Sequence, residues 1–141
     1  MTLVIPAAAV RGIEDHARAT YPEECCGFLL GSFADPKLVI EARRARNVAE
    51  ADRERRYVPD PKELLAVNRL RAADGRELIG FYHSHPDHPA NPSLTDQAEA
   101  TWPGYSYLIV SIVRGNPNDL RSWVLEKVGG SFRPEILSIT A

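Results

Sequence analysis

Between positions 83 and 96 lie four polar residues whose types and spacing suit metal chemistry: His83, His85, Ser93 and Asp96. On a β-strand, alternate side chains share a face, so His83 and His85 project the same way about 7 Å apart along the chain. Two imidazoles so placed can meet one cation without distorting the backbone. Asp96 can supply a third donor if the intervening loop, PDHPANP, folds the following helix back over the strand end. Two histidines and one carboxylate leave the fourth tetrahedral position open, the pattern of catalytic zinc, whereas structural sites are closed by four protein ligands. Zinc so held lowers the pKa of water from 15.7 towards ~7. Hydrolysis further requires a proton acceptor and a donor for the oxyanion.

Each residue also has an ordinary role. A histidine at a strand end can simply be hydrogen-bonded, Asp96 can complement a helix dipole, and Ser93 can cap a helix. The combination is harder to reach by accident. From the chain's own residue frequencies, H-x-H-x7-S-x2-D arises by chance on the order of a few times in ten thousand.

The stretch HSHPDHPANPSLTD resembles the zinc-binding motif of the JAMM (MPN+) metallopeptidases in residue type and spacing. A second segment, Pro22-Glu23-Glu24-Cys25-Cys26-Gly27-Phe28-Leu29-Leu30-Gly31, is similar to the family's upstream Pro-x-Glu-x-x-Gly-x-Leu-x-Gly-like segment. The register places the family's catalytic acid on Glu24, three before Gly27. The resemblance implies zinc on His83, His85 and Asp96, Glu24 as the proton carrier, and Ser93 as the oxyanion donor. It extends over nearly the whole chain and includes Trp102, the Tyr107–Val110 strand and the Arg121–Trp123 strand. Small prokaryotic members act on ubiquitin-like or sulfur-carrier proteins, cutting after a C-terminal Gly-Gly. The expected partner is such a carrier, and a homodimer is left open. The alternatives are a zinc amidohydrolase of small peptides or metabolites, and a non-catalytic MPN-type binding module. A zinc nucleoside deaminase is disfavoured, since no P-C-x-x-C ligand segment occurs.

The elements that must position these residues are legible in outline. Residues 2–5 suggest an edge strand, and Pro6 with Val10, Ile13 and Ala17 at helical spacing suggests a helix over roughly 6–20. The apolar run 25–33 reads as a buried strand, with a hairpin partner over 37–46. The charged stretch 47–56 reads as a mobile loop. Asp60-Pro61 opens a second helix ended by Gly75, and residues 77–83 form a central strand stopped by Pro86. Ser93 caps a third helix. Strands follow at 106–113, 120–126 and about 131–139, the first two joined by a turn near Gly115–Asn118. The expected fold is α/β, one domain over 1–141. It has a mixed, mostly antiparallel central sheet flanked by about three helices, which the resemblance refines to the JAB1/MPN, cytidine-deaminase-like architecture.

Composition narrows the function classes. The 141 residues are 44% hydrophobic and 26% charged, an ordinary globular balance for one domain. A net charge of −2 argues against a nucleic-acid partner, whose phosphates call for a basic surface. No apolar run approaches the ~20 residues of a membrane helix, and the N-terminus lacks the basic segment of a signal peptide. Cys25 and Cys26 are adjacent and give no disulfide framework, so a cytoplasmic location is expected. His88 is a possible further ligand or substrate contact. The arginines at 43, 44, 46, 53, 55 and 56 form a basic cluster interleaved with acids, either a solvated surface or a dock for an acidic carrier face.

Overall fold

A computed structural model describes residues 1–141. Seven strands alternate with three helices: β1 (Thr2–Pro6), α1 (Ala7–Thr20), β2 (Cys26–Ser32), β3 (Lys37–Ala45), α2 (Pro61–Asn68), β4 (Glu77–Pro86), α3 (Leu94–Glu99), β5 (Ser106–Val113), β6 (Asn116–Leu125) and β7 (Phe132–Thr140). The strand order is β1-β3-β2-β4-β5-β6-β7, closed into a barrel because β7 returns to β1. Four pairings are antiparallel and three, β1 with β3, β1 with β7 and β4 with β5, are parallel. The mixed α/β sheet with three helices agrees with the fold class expected from the sequence.

Several local expectations change. Residues 2–6 are not an edge strand: they hydrogen-bond to β3 on one side and β7 on the other, with Leu3 and Ile5 fully buried. Helix α2 ends at Asn68, not Gly75, and the Arg71 guanidinium donates to the free carbonyls of Asn68 and Leu70. Gly75 instead serves a later turn at φ 83°. Strand β4 continues past residue 83 to Pro86, which carries both histidines on regular strand backbone. The β5–β6 turn falls on Arg114-Gly115, both at positive φ, so β6 starts at Asn116. Two successive positive-φ residues match the twist that a two-residue hairpin requires. The segment expected to be mobile, 47–56, is tethered to its surroundings as described below.

Two apolar clusters fill the space on the sheet's two faces. One joins α1 (Val10, Ile13, Ala17) to Leu3, Leu29, Ile79 and Leu108. The other gathers Phe28, Leu30, Phe81, Tyr107 and Leu125 beneath α2 and α3, with Trp102 at its margin. Strands β2 and β4 lie side by side between the clusters, and both are buried almost throughout. Gly27 permits that approach: a Cβ there would collide with the Tyr82 ring and the Arg43 carbonyl. Cys25 and Cys26 pack as small apolar groups, 1% and 0% exposed, and burial raises both thiol pKa values, Cys25 to about 11. Neither is poised as a nucleophile.

The barrel holds two polar inclusions. Lys37 Nζ donates to Gly104 O, Ser106 Oγ and Glu135 Oε2, while Glu135 Oε1 accepts from Ser106 and Ser122. Every group of this network is paired, as a buried ion pair needs. His16 on α1 meets the Tyr82 hydroxyl at 2.7 Å, and burial, with Arg44 second, lowers its pKa from 6.5 to about 4. The folded state therefore holds a neutral ring, while the unfolded chain takes up the proton as pH falls below 6.5. His16 withdraws stability on acidification, by roughly 2 kcal/mol between pH 7 and 5. In His16→Gln that portion of the loss should disappear; urea unfolding of both proteins at pH 7 and pH 5 measures it, and equal losses would remove His16 from the acid response.

Candidate metal centre and active site

Strand β4 delivers His83 and His85 to one face, and α3 delivers Asp96 against them. The helix entry is fixed by a reciprocal capping box: Ser93 Oγ accepts from Asp96 N–H at 3.0 Å, and Asp96 Oδ2 accepts from Ser93 N–H at 2.9 Å. The same Oδ2 lies 3.2 Å from His83 Nε2 and 3.0 Å from His85 Nε2, and the two Nε2 atoms are 3.1 Å apart. A tetrahedral ion with bonds of about 2.0–2.1 Å separates its ligand atoms by roughly 3.3 Å. The three atoms therefore form nearly the triangle that such an ion requires.

Protons alone leave this triangle poorly satisfied. His85 Nδ1–H donates to Pro89 O at 2.7 Å, so its Nε2 presents a lone pair. The Asp96 carboxylate is an acceptor as well, held ionised by His83, His85 and the Ser93 N–H despite burial. Burial lowers the His83 pKa, and its Nδ1 has no hydrogen-bond partner. Two acceptors facing each other at 3.0 Å call for a cation, and the donor set fits a divalent metal. Tyr57 stacks on His83, with ring centroids 4.3 Å apart, and fixes the imidazole plane.

Glu24 stands just ahead of β2, 4% exposed, with Oε1 unpaired. Its pKa is pushed up to about 9, first by burial and then by the charges of Asp96, Asp52 and Glu99. A cation in the adjoining triangle opposes all of these effects and favours the carboxylate. The backbone of Glu24 is clamped: its N–H donates to Arg53 O at 2.8 Å, and its carbonyl accepts from Asn47 Nδ2 at 3.1 Å. Asn47 also donates to Arg56 O and accepts from the N–H groups of Ala49 and Val58. One amide thus pins the 47–58 segment beside Glu24.

Ser93 reaches the same opening. Its oxygen is occupied as an acceptor by the cap, which leaves its O–H proton free to donate into the cleft. That cleft, about 480 Å³, is walled by Glu24, Arg55, His85, His88, Asn91 and Ser93. A second cleft of about 200 Å³ is lined by Asp96 and by Tyr57, Leu64, Phe81, Trp102 and Tyr107. His88 lines the polar cleft and stands outside the group of three converging donors.

All five residues singled out in the sequence thus border one site. Asn47 and Tyr57 went unremarked, and Arg55 was noted only within the basic cluster, because they arrive from a segment about 30 positions upstream that has no periodicity. Most of the basic cluster is engaged locally: Arg43 with Glu41, Arg46 with Asp60 and Glu63, Arg56 with Glu99, and Arg53 with Ala49 O.

The barrel carries this His-His-Asp cluster at the end of its central strand. Residues 6–126 match the family described as prokaryotic homologs of the JAB domain, and the chain belongs to that family. It is 40% identical over 135 residues to the desampylase of Haloferax volcanii, covering 93% of this chain and 91% of that protein. It is 34% identical over 140 residues to the CysO-cysteine peptidase of Mycobacterium tuberculosis, covering 97% and 90%. Among solved structures, protein DSY2949 from Desulfitobacterium hafniense superposes with a TM-score of 0.83 at 27% identity, covering 98% of this chain and 92% of that one. The JAB1/MPN domain protein AF2198 from Archaeoglobus fulgidus shares the fold, with a TM-score of 0.61 at 19% identity over 99% and 97% of the chains.

Removing the Asn47 side chain deprives two carbonyls and two N–H groups of partners. Asn47→Ala should lose roughly 2–4 kcal/mol of stability, read as a lower urea midpoint at unchanged slope. An unaltered midpoint would show that solvent replaces those bonds.

Proposed function

We propose that this chain is a cytoplasmic zinc peptidase that hydrolyses the amide bond after the C-terminal Gly-Gly of a ubiquitin-like or sulfur-carrier protein. The observation that carries the reading is the placement of an orphaned carboxyl, Glu24, and a free hydroxyl proton, Ser93, on the wall of the cleft that His85 borders. Similarity along nearly its whole length to a desampylase and to a CysO-cysteine peptidase supports the substrate class. The buried, unbridged thiols of Cys25 and Cys26 fit a reducing compartment.

His83, His85 and Asp96 would hold the ion, and zinc there supplies Lewis acidity and acidifies water. The chain's own groups do the rest. Glu24 takes one proton from the attacking water as the water oxygen joins the carbonyl carbon of the last glycine. Ser93 donates its O–H proton as a hydrogen bond to the carbonyl oxygen while negative charge grows there. When the C–N bond breaks, Glu24 passes its proton to the leaving nitrogen, giving a carrier carboxylate and a free amine. Glycines at the end of the tail leave a narrow chain that can run between the two clefts past the bulky imidazoles.

The test separates zinc retention from turnover. A panel of small proteins ending in Gly-Gly from the source organism, each extended past the second glycine, is offered to wild type, Glu24→Gln and Asp96→Ala. Elemental mass spectrometry reads zinc in parallel. Wild type should carry about one zinc per chain and release the extension. Glu24→Gln should keep the zinc and lose at least 10²-fold in turnover, and Asp96→Ala should lose both. Undiminished cleavage by Glu24→Gln would remove Glu24 from the reaction, and wild type that holds zinc but cleaves nothing would favour a binding module.

A further inference from the structure

The two clefts beside the metal triangle differ in chemistry, and that difference assigns the halves of the substrate. Glu24 has to reach the leaving nitrogen, and it lines the polar cleft but not the aromatic one. Placing the released group in the polar cleft beside Glu24 leaves the carrier tail the aromatic cleft of Tyr57, Leu64, Phe81, Trp102 and Tyr107, with the scissile carbonyl at Ser93 between them.

The polar cleft has one guanidinium in its wall, that of Arg55. Elsewhere in the basic cluster Arg43, Arg46 and Arg56 each hold an acid and Arg53 donates to Ala49 O, while Arg44 does not line this cleft. Arg55 has no acidic partner, although Glu54 adjoins it in sequence and Asp52 lies three residues back, accepting the Arg55 N–H through its backbone carbonyl. Across the same cleft His88 and Asn91 add donors. Their ring and amide form no side-chain hydrogen bonds in the structure; only the His88 backbone is engaged, through Ser111 and His85. An unpaired guanidinium flanked by the His88 ring and the Asn91 amide, in the cleft that Glu24 lines, is arranged to receive an anion on the leaving group. Arginine recognises a carboxylate through paired N–H donors in a fixed fork.

We propose that Arg55, assisted by His88 and Asn91, binds the free α-carboxylate of the residue released after Gly-Gly, making the site selective for a carrier extended by a single amino acid. The inference rests on the reading of the site as a Gly-Gly peptidase and goes further, to the chemistry of the leaving group. A lysine Nε within a folded protein has no α-carboxylate one residue from the scissile nitrogen, so an isopeptide conjugate forgoes this contact. The Arg55 side chain is exposed, so its replacement leaves the core untouched.

Three conjugates of the carrier that wild type cleaves in the preceding experiment test the proposal. One ends in Gly-Gly-Ala with a free carboxylate, the second in the same sequence as a carboxamide, and the third joins Gly-Gly to the Nε of a lysine in a folded protein. Wild type should prefer the acid over the amide by ten- to a hundredfold in kcat/KM, the scale of a charge-assisted contact. The isopeptide should fall with the amide. Arg55→Gln should bring the acid-to-amide ratio close to one, and Arg55→Glu should take it below one. A wild-type ratio near one, or a ratio that Arg55→Gln leaves intact, would overturn the carboxylate site while leaving the peptidase reading standing. Failure to cleave any Gly-Gly carrier would instead overturn the peptidase reading and this inference with it.

Discussion

One carboxylate oxygen, Oδ2 of Asp96, ties the site together. It accepts the N–H of Ser93, which fixes where α3 begins, and it closes the triangle with both imidazoles. The helix cap and the ligand geometry are therefore one constraint. Moving Asp96 by a residue would undo the capping box and remove the third donor together. The orientation of Ser93 follows from the same bond pattern, because its accepting lone pair is committed to Asp96 N–H and its proton is not.

The barrel supplies rigidity where this triangle needs it. His83 and His85 sit on a strand whose Glu77–His83 stretch pairs with β2 and whose Gly80–Pro86 stretch pairs with β5, and which is buried almost throughout. Neither ring has room to swing: Tyr57 covers His83, and Pro89 O holds His85 from its far side. Glu24 sits where β2 begins, beside the same strand, in register with Cys26 opposite His83. Its environment is hostile to charge, with burial and three acidic neighbours acting together. A cation in the triangle would act against all of these, so the proton affinity of this carboxyl is set by its surroundings.

The 47–58 segment shows how irregular chain can be specific. It has no secondary structure beyond one isolated bridge, yet Asn47 uses all four of its side-chain bonding positions to hold it against Glu24. The segment brings Tyr57 onto His83 of the triangle and Arg55 to the polar cleft, so a single tether positions both. Charge density in sequence suggested a loose, solvated stretch; in space Arg56 pairs with Glu99 and Arg53 donates to Ala49 O.

The sequence by itself determined the residues that could act and the elements that carry them. Alternation placed His83 and His85 on one face, Ser93 and Asp96 announced a cap, and the apolar run after Glu24 announced a buried strand. These are local rules, set by backbone geometry within a few residues. Tertiary structure alone decided that β1 is central, since its second partner, β7, lies more than 130 residues away. It alone brought Asn47, Tyr57 and Arg55 to the site, because no periodicity marks a segment whose hydrogen bonds run to distant backbone. It also set the affinity of Glu24 for a proton, which depends on burial and on charges from two other parts of the chain, α3 and the 47–58 segment. Spacing along a chain records which side chains share a face, but only folding fixes the dielectric and the neighbours they meet.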